Sequence, residues 1–172
     1  GKVTVEFCST FIYFQKKGIV QEMIHNLKYR GHHEIGTLLG EWMAEDLKTL
    51  PISKSFDIII PVPLHKKRLR KRGYNQVTSF GKALSEKLEI PFNENLLHRI
   101  IYSKTQVRKS LLGRTDVKEN IFEANFTEEH HNKHFLLIDD VLTTGSTLEA
   151  CSRALLKIPG TKISIVCMAM SH

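Results

Sequence analysis

The chain is poor in cysteine and has no long hydrophobic run. Cys8, Cys151 and Cys167 are its only cysteines, odd in number and far apart. That pattern argues against a disulfide framework or a cysteine-built metal site and is read as reduced core thiols. No apolar stretch is long enough to span a bilayer, and nothing near the N-terminus has the charged-then-apolar pattern of a signal peptide. The expectation is therefore a soluble, cytoplasmic protein with no membrane span. Internal repeats, low-complexity tracts and a clear linker are also missing. What is present suffices for one compact domain: 172 residues, 41% of them hydrophobic and 25% charged, can bury an ordinary core.

The formal net charge is +7, which fits an anionic partner. Charge alone does not choose between nucleic acid and a small polyphosphate. Its distribution says more. Lys66, Lys67, Arg68, Arg70, Lys71 and Arg72 crowd into one short segment, whereas the rest of the chain is mixed.

Residues 3–14 read as a short extended lead. Ile19, Val20, Met23, Ile24 and Leu27 share one face of a helix ending near Gly31. Ile35, Leu38, Leu39, Trp42, Met43 and Leu47 mark a second helix, ending before Pro51. Residues 56–62 are a short apolar run, read as a buried strand. After the basic segment, read as a loop, Val77, Phe80, Ala83, Leu84 and Leu88 give a third amphipathic helix, with Asn75 as candidate cap. A strand over residues 135–138, a helix carrying Leu148, Cys151, Leu155 and Ile158, and a strand with Ile163, Ile165, Val166 and Met168 complete the pattern. Strands and helices alternating in this way predict an α/β fold with a doubly wound, mainly parallel sheet. Ligands of such sheets sit outside the carboxyl ends of the strands. Both the basic segment and residues 139–147 fall there.

The segment Phe135-Leu136-Leu137-Ile138-Asp139-Asp140-Val141-Leu142-Thr143-Thr144-Gly145-Ser146-Thr147 carries the most chemistry. Its hydroxyl- and glycine-rich loop opens a helix, where backbone N–H groups and the helix dipole favour a phosphate. The paired carboxylates would repel a phosphate and instead suit a sugar diol or a divalent cation. Together they suggest a phosphorylated ribose. A P-loop needs Lys directly after its second glycine, but Ser146 follows Gly145. A dinucleotide fingerprint needs three spaced glycines, and only Gly145 is present.

An apolar strand, Asp139-Asp140, two variable residues and Thr143-Thr144-Gly145-Ser146-Thr147 resemble the signature of the type I phosphoribosyltransferases. Pro61-Val62-Pro63-Leu64-His65, Arg72-Gly73-Tyr74-Asn75-Gln76, Leu27-Lys28-Tyr29-Arg30-Gly31, and Arg108-Lys109-Ser110 through Arg114 to Asn120 look like the ComF branch of that superfamily. ComF-type proteins are linked to competence, the uptake and processing of transforming DNA. Many ComF members open with a zinc-binding element of paired cysteines. Cys8 has no partner at metal-ligand spacing, so this sequence lacks the element, either as a piece of a longer protein or because the protein never had it.

The resemblance implies 5-phosphoribosyl 1-pyrophosphate as ligand, with Mg²⁺. Thr143, Thr144, Gly145, Ser146 and Thr147 would cradle the 5′-phosphate. Asp139 and Asp140 would hold the ribose hydroxyls, directly or through the metal. His65, Lys66, Lys67, Arg68 and Arg72 would face the pyrophosphate. The implied chemistry is displacement at the anomeric carbon, which needs charge neutralisation and exclusion of water more than a strong base. A closing loop over residues 99–114 is the candidate for both, with Arg108 and Arg114 neutralising the leaving group. Residues 1–50 would form the extended lead and a helical hood, and residues 51–172 the phosphoribosyltransferase-like core. Lys28 and Tyr29, at the end of the first helix, either contact the acceptor or pack and cap that helix.

Two functions of different class stay open. One is an enzyme that transfers phosphoribosyl to an unidentified acceptor, with release of pyrophosphate, or hydrolyses the donor. The other is a non-catalytic protein of the same fold, in which the basic segment binds single-stranded DNA and Tyr74 and Tyr102 stack bases. The same cations could equally cover a solvated face. His130, His131 and His134 are read as an exposed connection rather than a metal site.

Overall fold

The computed structural model describes residues 3–14, 18–100 and 121–171. Four strands form a parallel sheet: β1 (Phe7–Phe14), β2 (Ile58–Pro61), β5 (His134–Leu142) and β6 (Lys162–Ser171), in the spatial order β1-β6-β5-β2. The extended lead is thus an edge strand of the main sheet. Beside it, β3 (Leu97–Arg99) and β4 (Phe122–Ala124) pair antiparallel as a small ribbon.

The helices flank both faces. Helices α1 (Ile19–Tyr29), α2 (His33–Lys48) and α4 (Thr78–Leu88) cover one face, packing Leu27, Leu39, Met43, Phe80 and Leu84 against Leu136, Ile138, Val166 and Met168. On the other face, α5 (Ser146–Leu155) and the β3–β4 ribbon pack Leu148, Cys151, Leu155, Leu97 and Phe122 against Phe135, Leu137, Ile165 and Cys167. The fold is therefore α/β and doubly wound. Because β5 is buried on both faces, it reads as an unbroken apolar run rather than an alternating one. Its alternation has a consequence for the site. Leu136 and Ile138 serve one core and Phe135 and Leu137 the other, so the next two residues, Asp139 and Asp140, face opposite sides of the sheet.

Three local readings change. The basic segment is not a loop but a helix, α3 (Lys66–Arg72). His65 caps it by accepting the Lys67 N–H at Nδ1, 3.1 Å away, and Gly73 ends it in the left-handed region at φ 80°. Lys and Arg are good helix formers, and the last turn is a favourable place for cations. His134 is not on an exposed connection. It is buried at the start of β5, between the hydroxyls of Ser55 (3.0 Å) and Ser164 (2.8 Å), and burial pushes its pKa down. Finally, Cys151 and Cys167 are core thiols as expected, but Cys8 is exposed on the edge strand.

Candidate functional site

Strands β2 and β5 are neighbours, so their carboxyl ends deliver two chain segments to one place. After β2 the chain passes through Val62, Pro63, Leu64 and His65 into α3. After β5 it passes through Thr143, Thr144 and Gly145 into α5. Between them lies a cavity of about 180 Å³, lined by Asp139, Asp140 and Thr147 from one side and His65, Arg68 and Arg72 from the other. Lys28, Gln76 and Arg99 complete its wall.

The two carboxylates have different surroundings. Asp140 is 7% exposed. Its Oδ2 accepts from the Lys28 ammonium at 2.9 Å and from Gln76 Nε2 at 2.6 Å. Gln76 is held in turn by Arg72, whose NH1 donates to Gln76 Oε1 at 2.6 Å. The other arm of Arg72 donates to the Tyr29 hydroxyl at 3.1 Å, with the guanidinium 4.7 Å above that ring. Asp139, on the opposite face of the strand, accepts the Asp140 N–H at 2.8 Å. Burial, reinforced by the negative charge of Asp140, pushes its pKa up to about 7. Its surface is only partly covered, yet it lies deep in the protein, and the shift follows the depth.

The loop after β5 is a tight turn into α5. Gly145 takes φ 74°, a left-handed conformation that turns the chain sharply into α5. The Thr144 and Ser146 hydroxyls lie 3.1 Å apart, and Thr143, Thr144, Ser146 and Thr147 are all exposed, but of the Thr143–Thr147 loop only Thr147 borders the cavity. The first-turn amides of α5 have no partner within the helix.

Tyr74 and Asn75 lock the second segment in place. The Tyr74 hydroxyl donates to the Leu27 carbonyl and accepts from the Gly31 N–H, tying the end of α1 to the α3–α4 connection. Asn75 Nδ2 donates to the Val62 carbonyl at 3.0 Å, fixing the chain just past β2.

Not every cation of α3 faces the cavity. His65, Arg68 and Arg72 line it, Lys66 lines a neighbouring groove, and Lys67, Arg70 and Lys71 are exposed and line neither. Arg99 belongs to β3 and lines both hollows, whereas Arg108 and Arg114 lie outside the described residues. Gln76 is a site residue that sequence reasoning misses. Its only signal is its place in the Arg72–Gln76 stretch, which also supplies Arg72 and Tyr74.

Among the described residues no cluster of three or more His, Cys, Asp or Glu side chains is placed to hold a metal. The donor set fits Mg²⁺ in another way. This ion is commonly held by one or two carboxylates plus the oxygens of a phosphorylated substrate, and Asp139 offers such a carboxylate at the cavity wall. No helix among the described residues is long and apolar enough to cross a membrane.

Residues 77–171 match the sequence profile of the phosphoribosyl transferase domain. Competence protein F of Haemophilus influenzae is 32% identical over 147 residues, covering 83% of this chain and 64% of that protein. DNA utilization protein YhgH of Salmonella typhi is 26% identical over 149 residues, covering 85% of this chain and 65% of that one. The chain thus spans just under two thirds of the length of these relatives. Among solved structures, a hypoxanthine phosphoribosyltransferase from Staphylococcus aureus superimposes with a TM-score of 0.45 at 16% identity, over 78% of this chain and 62% of that one.

Proposed function

Since the chain belongs to the phosphoribosyl transferase domain family, and within it to the ComF group, we propose that its cavity binds 5-phosphoribosyl 1-pyrophosphate with Mg²⁺ and transfers the phosphoribosyl group to an acceptor. One observation carries this reading. The carboxylate pair of β5 and Thr147 of α5 line one small cavity together with three basic side chains of the β2–α4 segment, His65, Arg68 and Arg72. The loop from Thr143 to Thr147 suits the 5′-phosphate. The carboxylates suit the ribose hydroxyls or a ligand-borne Mg²⁺, and His65, Arg68 and Arg72 suit the pyrophosphate. Bound Mg²⁺ would neutralise charge on the pyrophosphate as it departs. In the transfer, the bond from the anomeric carbon to the pyrophosphate oxygen breaks. A bond from that carbon to the acceptor forms, and the acceptor loses a proton.

Calorimetry with the donor and Mg²⁺ tests the reading. The wild-type protein is expected to bind saturably and only with the metal, and the double change Asp139→Asn with Asp140→Asn is expected to abolish both binding and pyrophosphate release. Absence of binding by the wild-type protein overturns it.

A second reading has its own support. The cations of α3 divide between two faces, and Lys67, Arg70 and Lys71 point away from the cavity into solvent. A cationic face unused by the donor suits a nucleic-acid backbone, so the protein would bind single-stranded DNA there. Fluorescence anisotropy at several salt concentrations checks it. Changing all three to alanine is expected to weaken DNA binding and flatten the logarithmic salt slope by about 2, at roughly 0.7 for each phosphate no longer neutralised. Donor affinity should stay the same. DNA binding that is indifferent to these changes excludes this face.

A further inference from the structure

The Lys28–Asp140 pair links the end of α1 to the carboxylates through a closed circuit of side chains. Lys28 bonds Asp140, Asp140 accepts from Gln76, Gln76 accepts from Arg72, and Arg72 bonds Tyr29, the residue after Lys28. Two cations are thereby fixed side by side on one wall of the cavity, one by each end of the Asp140–Gln76 pair. Both line the cavity together with Arg68 and His65.

The circuit separates the roles of the two carboxylates. Asp140 has both strong donors on its Oδ2 and sits on the α1–α4 face of the sheet, away from the partly exposed side chain of Asp139. An ammonium has three N–H donors. Asp140 takes one from Lys28, and the lysine side chain keeps 22% of its surface open while it borders the cavity. It is therefore both held and available.

Resting on the donor-binding reading above, we infer that Lys28 contacts the pyrophosphate end of the ligand, and that Asp140 and Gln76 act as the anchor that aims its ammonium there. The placement supports the pyrophosphate end rather than the 5′-phosphate. Lys28 is joined to Arg72 through Asp140 and Gln76, and it borders the cavity together with Arg72, Arg68 and His65, whereas Thr143, Thr144 and Ser146 do not border it. Anchoring also matters for affinity. A free lysine loses several rotatable bonds' worth of freedom when it grips an anion, whereas this one has lost them in the ligand-free protein. A salt-bridge partner that can share its cation with an incoming polyanion is consistent with charge-assisted hydrogen bonds being the strong ones.

The test compares Lys28→Met and Lys28→Arg with the wild-type protein. Calorimetry uses three probes, each with Mg²⁺: 5-phosphoribosyl 1-pyrophosphate, inorganic pyrophosphate and ribose 5-phosphate. Lys28→Met is expected to weaken the two pyrophosphate-bearing probes by about tenfold or more, the range for losing a charge-assisted hydrogen bond. Ribose 5-phosphate should change by less than about twofold. Lys28→Arg is expected to restore most of the lost affinity. A merely structural lysine would weaken all three probes alike, or none, and either result overturns the inference. If the wild-type protein binds none of the probes, the donor-binding reading falls and this inference with it. If the wild-type binds and Lys28→Met binds equally well, only the inference falls.

Discussion

Replacing Asp139 with asparagine is expected to raise the melting temperature of the ligand-free protein at pH 8 while removing its Mg²⁺-dependent affinity for the donor. The reason is the raised pKa of this carboxyl. In the unfolded chain it titrates near 3.8, and in the folded protein near 7. Between these values the folded state holds a proton that the unfolded state has lost, so stability falls as pH rises through that window. Below about pH 4 the group costs nothing, and above about pH 7 its full cost is present. Fully expressed, a shift of that size corresponds to about 4 kcal/mol, at 1.36 kcal/mol per unit. Asp140 and Lys28 share the interaction and the site is partly open to water, so the effect expected is about 1–2 kcal/mol, or roughly 2–8 °C for a chain of this length. Calorimetric melting at pH 5 and pH 8 checks it. The wild-type protein should lose stability between the two relative to Asp139→Asn. If the variant melts no higher than the wild type at pH 8, the carboxylate is not strained in the free protein. Such a group is poised for a ligand that supplies positive charge or hydroxyl donors, because these stabilise the ionised form that burial opposes.

The parts of this protein that are legible in the sequence are those whose signal is local. Phe135 to Thr147 announces strand, carboxylates, tight turn and helix in order, because each step depends on neighbours in the chain. The amphipathic helices are legible for the same reason, since their apolar spacing maps directly onto the face that packs. The basic segment passes for a loop because it has no apolar face to reveal a helical period. Its ends carry the signal instead: His65 and Gly73 are a cap and a stop, and between them lie strong helix formers. His134 groups with His130 and His131 by spacing, but its burial comes from strand pairing and from Ser55 and Ser164, distant in sequence. The Lys28–Asp140–Gln76–Arg72–Tyr29 circuit is illegible for that reason too. It joins three segments that meet only after α1 docks on the sheet, and no periodicity in any one of them records the meeting. In the sequence, both the Leu27 to Gly31 and the Arg72 to Gln76 stretches resemble the ComF branch. The resemblance does not show that they touch.

Gly40→Ala is expected to destabilise the protein by about 2 kcal/mol even though alanine is the better helix former by roughly 1 kcal/mol. A Cβ at Gly40 would lie 2.6 Å from the Phe80 carbonyl oxygen and 2.8 Å from the Ala83 Cβ. The first of these is backbone and the second is rigidly attached to it, so neither can rotate away. Helices α2 and α4 would have to move apart, and overpacking of this kind costs about 1–3 kcal/mol. Gly36, one turn earlier, meets the Ser79 hydroxyl oxygen first, and a hydroxyl can turn aside. Gly36→Ala should therefore cost less than Gly40→Ala. The expected fall in melting temperature for Gly40→Ala is roughly 4–8 °C. An Ala substitution at Glu41, next along α2 and only partly buried, should stay within about 0.5 kcal/mol. The consequence reaches the site, because α4 begins two residues after Gln76, whose bond to Asp140 is 2.6 Å long. Pushing α4 away from α2 shifts that amide and loosens the anchor of Lys28. Gly40→Ala should accordingly weaken binding of inorganic pyrophosphate at temperatures where the variant is still fully folded. Normal stability in Gly40→Ala would show that the two helices can separate without cost. Lower stability with unchanged pyrophosphate affinity would show that α4 does not govern the position of Gln76.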